Sequence, residues 1–257
     1  MFRTLAGLAL TLLLSAAHAQ SAPSRLDEIV KRGTLRVGMT GDYLPFTALD
    51  KETKTFRGFD VDMAQSLGKA LGVKVEFVPT SWPQMMKDFE ADDFDIAMGG
   101  ISITYDRQKK GLFSTPIMRE GKTPIARCAD KDKFETIAEI DKPGIRVIVN
   151  PGGTNERFAR ANVKAADIRV FNDNTKIFDE IARGDADLMM TDASETRYQQ
   201  KLHPGVLCAV HPDKPFDFAE KAYWMQRDVA LKAFVDQWLH IAHEDGSYAK
   251  IYTAWFE

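Results

Sequence analysis

The 257-residue sequence has little cysteine and no excess of positive charge. Its 34 lysines and arginines are balanced by 37 aspartates and glutamates, which leaves a formal net charge of −3. A chain without a positive field lacks the electrostatic attraction that brings proteins to nucleic acids or anionic membrane surfaces. The sequence also has no tandem repeat and no low-complexity segment, which excludes a repeat architecture.

The few cysteines and histidines form no recognisable metal-binding or catalytic pattern. Neither the spacing nor the neighbours of Cys128 and Cys208 suggest a zinc site. Four of the five histidines flank predicted turns or lie on the last predicted helix: His203, His211, His240 and His243. No Ser-His-Asp arrangement can be argued from these positions. We therefore expect no metal and no organic cofactor.

Long hydrophobic runs are confined to the N-terminus. Arg3 precedes an apolar stretch over residues 5–16, and Ala17-His18-Ala19 has the small-residue pattern of a cleavage site. The stretch is shorter than the roughly 20 residues that cross a bilayer as a helix. We predict a signal peptide at residues 1–19, cleaved after Ala19, and export of the mature chain to the periplasm without a membrane anchor.

Export changes the interpretation of the two cysteines. An oxidising compartment permits a disulfide between Cys128 and Cys208, and closing so long a loop can stabilise a fold by roughly a few kcal/mol. Two separate buried thiols are the alternative.

The mature chain contains a regular alternation of strands and helices. The segments with strand character are 35–39, 73–78, 95–98, 146–150, 168–171, 186–190 and 222–225. Helical apolar spacing separates them and returns at 229–243. This alternation predicts an α/β fold whose mostly parallel sheets are covered by helices. Proline-rich passages near 115–124 and 212–215 predict two crossings between two lobes, namely residues 20–121 with 217–257, and residues 122–216.

Two carboxylates, Asp192 and Glu195, follow the apolar run at 186–190. In open α/β sheets, ligands bind outside the carboxyl ends of strands, so this position favours a binding site. The same spacing also fits a capping box, in which Asp192 caps a helix and Glu195 is its N3 partner. The two interpretations do not exclude each other.

Seven short motifs occur in order along the mature chain: Leu35 to Gly38, Asp42-Tyr43 with Pro45-Phe46, Gly58 to Asp62, Asp95-Ile96, Gly100 to Thr104 with Arg107, Phe113-Ser114 with Pro116, and Gly153-Thr154. Together they resemble the polar amino-acid class of periplasmic solute-binding proteins. The resemblance implies a two-lobed, type II periplasmic-binding-protein-like fold with two hinge crossovers and a ligand clamped between the lobes. It also implies that Arg107 and Thr154 hold the α-carboxylate of the ligand, while Asp192 binds its α-ammonium group.

A second set of motifs is more specific: Thr80 to Pro83, Gly121 to Ile125, Val149 to Glu156, Asp187 to Ala193, Leu202 to Pro204 and Pro215 to Tyr223. These are similar to the exported cyclohexadienyl dehydratases, which convert prephenate to phenylpyruvate and arogenate to phenylalanine. The resemblance implies a cofactor-independent lyase in which Glu195 is the general acid. It further implies a homo-oligomer, a trimer in the relatives.

The implied reaction expels a ring carboxylate as CO2 and a ring hydroxyl as water. A carboxyl group can protonate the hydroxyl near neutral pH only if its pKa is raised, and neighbouring Asp192, a dianionic substrate and lobe closure would raise that of Glu195. Arg107, Lys122 and the helix end at Gly153 and Thr154 are expected to hold the carboxylates. The other residues expected to contact the substrate are Asp42, Tyr43, Trp82, Ser102 and Asn150.

Each of these residues also has an ordinary structural interpretation. Trp82 fits a packed core position, Lys122 a solvated hinge lysine, and Arg107 a surface salt bridge. The alternative function is a non-catalytic protein that delivers an amino acid to an ABC transporter. Such a protein needs Arg107, Thr154 and Asp192 but has no use for a second acid at Glu195.

Overall fold

A computed structural model of the protein describes residues 23–257, so the predicted signal peptide lies outside the described residues. The first part of this range contains helix α1 (Arg25–Arg32), strands β1 (Thr34–Met39), β2 (Asp42–Tyr43), β3 (Thr47–Leu49) and β4 (Phe56–Arg57), helix α2 (Phe59–Leu71), strand β5 (Lys74–Pro79), helix α3 (Met85–Glu90), strand β6 (Ile96–Ala97), helix α4 (Tyr105–Gln108) and strand β7 (Leu112–Phe113).

The chain continues with β8 (Met118–Glu120), β9 (Lys122–Arg127), α5 (Ile137–Ile140), β10 (Arg146–Val149), α6 (Thr154–Asn162), β11 (Asp167–Val170), α7 (Ile177–Arg183), β12 (Leu188–Asp192), α8 (Ala193–Leu202) and β13 (Leu207–Ala209). It ends with β14 (Ala219–Lys221), β15 (Trp224–Met225), α9 (Val229–Glu244) and α10 (Ser247–Phe256). Short 3-10 turns occupy Lys131–Lys133 and Asn174–Lys176.

Two five-stranded sheets form two lobes, which confirms the predicted α/β class. The first sheet has the order β5-β1-β6-β15-β7 and the second the order β11-β10-β12-β9-β13. In the first sheet only β15 runs against the others, and in the second only β9 does. Each sheet is therefore mostly parallel, as predicted. No helix within residues 23–257 is both long and apolar enough to span a bilayer.

Side chains of the central strands are buried on both faces. In β10, Val147 and Val149 pack in one apolar cluster, while Ile148 between them packs in another. In the first sheet, Ile96 and Ala97 are divided between two clusters in the same way. This alternation follows from the two-residue period of a strand, and helices cover both faces.

The two lobes are joined by two crossings. Strand β8 pairs antiparallel with β14, and we call these two the hinge strands. The chain passes to the second sheet after β8 and returns to the first after β14. Gly121 follows β8 directly, and a Cβ atom there would collide with the backbone carbonyl of Asp217. Glycine thus permits the two crossings to lie side by side. The lobe bounds given above stay a prediction.

Two local predictions need correction. The passage near 115–124 is not simply a crossing, because it contains β8 and the start of β9, where Pro124 pairs with Met190 inside the sheet. Helix α10 was not expected after the helix predicted at 229–243. It begins after Gly246, whose φ of 78° interrupts the preceding helix. The predicted disulfide between Cys128 and Cys208 is confirmed.

Candidate active site

The site lies where β12 and β9 present charged residues to each other. Asp192, the last residue of β12, stands directly opposite Lys122, the first residue of β9. Cross-strand neighbours point to the same face, so the carboxylate and the ammonium group meet, with Nζ 2.7 Å from Oδ1. Their side chains are each 2% exposed.

A second lysine, which was not predicted, completes the environment of Asp192. Lys221, on hinge strand β14, places Nζ 2.6 Å from Oδ2 of Asp192, and the hydroxyl of Tyr43 donates to the same oxygen. Burial alone would raise the pKa of Asp192, but the two lysines outweigh it, so the pKa lies below its usual range. Asp192 is therefore ionised and already has partners for both oxygens.

Lys221 links this cluster to the first lobe and to the hinge. Its Nζ donates to Oγ of Ser102 at 2.9 Å and lies 3.5 Å from Oε1 of Glu120 on β8. Burial lowers the pKa of Lys221, yet Asp192 and Glu120 raise it more, and the net shift is upward. The hinge strands thus contribute two buried charged residues to the site.

The capping-box interpretation of Asp192 and Glu195 is wrong. Asp192 occupies the N-cap position of α8, but its side chain makes no capping hydrogen bond. Glu120 substitutes for it, because its Oε2 accepts from the backbone N–H of Ser194 at 3.0 Å. A carboxylate from the hinge therefore caps the helix and leaves Asp192 to the lysines.

A chain of hydrogen bonds connects Lys122 to Glu195. Lys122 donates to Oγ1 of Thr154 at 2.9 Å and to Oδ1 of Asn155. The Asn155 amide donates to Oγ1 of Thr191 at 3.0 Å, and that hydroxyl donates to Oε2 of Glu195. Asn155 and Thr191 were not predicted as site residues, although Asn155 belongs to the first turn of α6, where a ligand-facing side chain is expected.

Glu195 is the perturbed acid of the site. Its side chain is 1% exposed, and burial together with the nearby charge of Asp192 raises its pKa to about 8, against the opposing effects of Thr191 and Lys122. Burial destabilises the ionised form. Glu195 is therefore largely protonated at neutral pH, as its expected role requires. In contrast, burial lowers the pKa of Lys122.

Aromatic side chains of the first lobe form one wall of the cleft. Tyr43 and Trp82 meet edge to face, with ring centroids 5.6 Å apart. The Trp82 indole N–H donates to Oδ1 of Asp42 at 3.0 Å, so Asp42 orients the tryptophan. From the second lobe, the Asn174 amide donates to the backbone carbonyl of Asp42 at 2.9 Å. Tyr43 and Asn174 thus each form a hydrogen bond that joins the two lobes.

The central cavity between the lobes is small. Its volume is about 10 Å³, which is room for about one water molecule. The predicted residues that line it are Tyr43, Trp82, Ser102, Asn150, Gly153, Thr154 and Asp192. It is also lined by four residues that were not predicted: Gly100, Asn155, Asn174 and Lys221.

Four predicted residues do not line this central cavity, namely Asp42, Lys122, Arg107 and Glu195. Arg107 is 6% exposed and lines a neighbouring cavity below Trp82, where its guanidinium donates to the backbone carbonyl of Ser102 at 2.8 Å. Its burial lowers its pKa to about 10. Glu195 lines a separate cavity that it shares with Asp42 and Asn174. Their contact with a ligand stays a prediction.

The fold and this cleft agree with the comparison to known families. Residues 35–257 match the family described as bacterial extracellular solute-binding proteins, family 3. The chain belongs to this family. Members of this family bind small-molecule solutes, and a solved binding protein in complex with lysine has the same architecture, with 27% identity and a TM-score of 0.81.

Individual relatives narrow the comparison. The chain is 56% identical to the cyclohexadienyl dehydratase of Pseudomonas aeruginosa over 97% of this chain and 92% of that protein. An ancestral amino-acid-binding protein described as a precursor of cyclohexadienyl dehydratase is 40% identical, with a TM-score of 0.83 over 91% of this chain and all of the other. An ancestral cyclohexadienyl dehydratase is 53% identical, with a TM-score of 0.57 over 91% and 97% of the two chains.

Proposed function

We propose that this member of the solute-binding family is a cyclohexadienyl dehydratase, which converts prephenate to phenylpyruvate and arogenate to phenylalanine. The observation that carries the proposal is a buried acid, Glu195, with a pKa of about 8, in a chain that is 56% identical to a dehydratase along nearly its whole length. A protein that only binds amino acids has no need for such an acid beside its ligand.

The reaction requires one proton and a place for two carboxylates. Glu195 gives its proton to the leaving ring hydroxyl, the ring carboxylate departs as CO2, and its bonding electrons complete the aromatic ring. Positioned acids of this kind typically contribute about 10²–10⁴ to a rate. Aromatisation supplies the driving force, so these steps need no strong nucleophile.

Positive charge in the cleft suits a dianionic substrate. Lys122, Lys221 and Arg107 are buried cations in or beside the cleft, and they outnumber the two buried acids that face the lysines, Asp192 and Glu120. The N-terminus of α6, at Gly153 and Thr154, adds free backbone N–H groups that attract an anion. Trp82 and Tyr43 pack against the substrate ring, and Asn150 bonds its hydroxyl or a carboxylate.

Substrate enters when the lobes separate. A cavity with room for about one water molecule is far too small for a ring with two carboxylates. The cross-cleft bonds of Tyr43 and Asn174 hold the closed arrangement. On closure around substrate, Arg107 and Glu195 approach the ligand from their neighbouring cavities, and exclusion of water strengthens every charge interaction in the cleft.

The expected setting is periplasmic. The family consists of extracellular proteins, and the predicted signal peptide at residues 1–19 would direct the chain to the periplasm. The proposed partners are the small-molecule substrates alone, and a homotrimer is the proposed assembly.

Glu195→Gln tests the proposal most directly. The amide has the size of the protonated carboxyl but cannot give up a proton, so we expect kcat for phenylpyruvate formation from prephenate to fall about 10²–10⁴-fold. Folding and substrate affinity are expected to stay unchanged, as measured by thermal denaturation and by prephenate binding. The matched control is Glu244→Gln, at the exposed end of α9, which we expect to behave as wild type.

The second candidate function is delivery of an amino acid to a transporter, and the ancestral amino-acid-binding relative favours it. Calorimetry with the common amino acids separates the two functions. Micromolar binding of an amino acid without any turnover of prephenate or arogenate would replace the dehydratase proposal. If the Glu195→Gln variant turns over substrate as fast as wild type, the protein is still a dehydratase but Glu195 is not its general acid.

A further inference from the structure

The catalytic acid faces a second cavity that the reaction described above does not use. This cavity, which we call the side cavity, has a volume of about 250 Å³ and is lined by Glu195, Gln199 and His203, among other residues. It is far larger than the roughly 10–15 Å³ that one water molecule needs. Asn174 lines both the central cavity and the side cavity.

Polar residues extend along α8 from the acid to the surface. Glu195 and Gln199 lie four residues apart on one face of α8, and His203, the C-cap residue, follows after the same interval. Glu195 and Gln199 are buried, His203 is half-buried, and Leu202 beside it is 51% exposed. The side cavity therefore opens to solvent beside His203, and also beside the exposed Thr175 and Lys176 that line it.

The local bonds leave atoms free for proton transfer. Thr191 bonds Oε2 of Glu195, while Oε1 has no hydrogen-bond partner among residues 23–257. The Nδ1 atom of His203 donates to the backbone carbonyl of Gln199 at 3.0 Å, which leaves Nε2 without a partner in the same range. Histidine is the side chain best suited to carry a proton near neutral pH.

The chemistry requires that Glu195 regain a proton in every turnover. In each turnover the C–O bond to the ring hydroxyl breaks, that oxygen takes the proton of Glu195 and leaves as water, and the C–C bond to the ring carboxylate breaks to release CO2. Glu195 is left as a carboxylate and needs one proton from solvent before the next turnover. The charged groups around it and along the side cavity are Asp42, Asp192, Lys122, Asp179 and Lys176.

We propose that the side cavity, with His203 at its mouth, is the route by which Glu195 regains its proton from solvent while the lobes remain closed. The inference rests on the proposed function, because only an acid that is spent in each turnover needs to be reloaded. Glu195 lines the side cavity and not the central cavity, so the route needs no water in the central cavity.

His203→Leu tests the route by rapid mixing with prephenate. The first turnover is expected to proceed at the wild-type rate, because Glu195 starts protonated, and later turnovers are expected to slow by roughly tenfold or more. Imidazole added to the buffer should restore the steady-state rate in proportion to its concentration. The matched control is His240→Leu, on the exposed side of α9, which should leave both phases unchanged.

Ala48→Leu, in strand β3, narrows the same cavity and leaves His203 in place. It should slow the steady state in the same way but resist rescue by imidazole. An unchanged steady state in both variants would overturn the route, since protons would then reach Glu195 through the open cleft. Equal loss of the first and later turnovers would also overturn it, because that result indicates a structural effect. Failure of the proposed function is distinct: wild type would then form no phenylpyruvate.

Discussion

At the scale of single residues, the site depends on how two neighbouring acids are kept in opposite states. Asp192 is ionised because two lysines contact it at 2.6–2.7 Å. Glu195, three residues further along the chain, stays protonated because it is buried and its direct hydrogen-bond donor is a neutral hydroxyl. Two carboxyl groups with pKa values driven apart by their surroundings provide the anion and the acid that the chemistry requires.

The raised pKa of Glu195 predicts a pH profile. The acid acts in its protonated form, and its pKa is raised to about 8, chiefly by burial. We therefore expect kcat to be nearly constant at neutral pH and to fall as pH rises through about 8, by about tenfold per pH unit beyond it. Steady-state assays of phenylpyruvate formation measure this. Activity that increases through this range would contradict the assignment.

Sequence patterns revealed part of this site. Asp192, Glu195 and Lys122 were predicted from the strand end, the resemblance and the expected chemistry. Lys221 and Glu120 were not, because they are 101 positions apart and meet only through the pairing of the hinge strands. The capping box failed for the same reason, since Glu120 caps α8 from a distant part of the chain. Contacts between residues so far apart in the sequence leave no local pattern from which they could be predicted.

At the scale of elements, the second lobe is fastened by its disulfide. Cys128 directly follows β9, and Cys208 lies in β13, which pairs with β9. The bond closes a loop with a sequence separation of 80 residues that includes β10, β12 and the helix of Glu195. In the unfolded chain, the disulfide therefore restricts the segment that forms nearly the whole second sheet.

Replacing both cysteines by serine is expected to lower the free energy of unfolding by about 2–5 kcal/mol. Urea denaturation with and without reductant measures the effect. Wild type in reductant should approach the stability of Cys128→Ser/Cys208→Ser, while the double variant should not respond to reductant. Equal stability of all four samples would show that the loop closure contributes nothing.

The elements themselves were predictable to different degrees. A regular run such as 146–150 has both the β-branched content and the length of a strand, and residues 146–149 are a strand here. Strand β9 was hidden by Pro124, because proline normally argues against a central strand. Helix α10 was overlooked because Gly246 ends the preceding pattern, while its aromatic face is stabilised by packing that the sequence does not reveal.

At the scale of the whole molecule, closure of the lobes depends on few direct bonds. Tyr43 of the first lobe donates to Asp192 of the second, and Asn174 donates to the backbone of Asp42. The tyrosine bond goes to a charged group, and such bonds contribute about 1.5–3 kcal/mol. Removal of this one hydroxyl should therefore shift the balance between the closed and open arrangements.

Tyr43→Phe removes the hydroxyl and keeps the ring stacked on Phe46, 5.1 Å away. We expect a larger radius of gyration in the absence of substrate, as measured by small-angle X-ray scattering, and weaker binding of prephenate. Excess substrate should return the variant to the compact form. The same radius of gyration as wild type without substrate would mean that this hydrogen bond does not hold the lobes together.

The final helix has a practical consequence for anyone who engineers this protein. The ring of Phe256 packs 5.5 Å from Phe46, which is itself stacked on Tyr43. The backbone carbonyls of Phe256 and Glu257 accept from Lys201 on α8, the helix of Glu195. Trimming these two positions or joining an affinity tag to them would disturb both halves of the cleft at once. Purification tags and fluorescent labels belong elsewhere, for example at the exposed Lys54 turn.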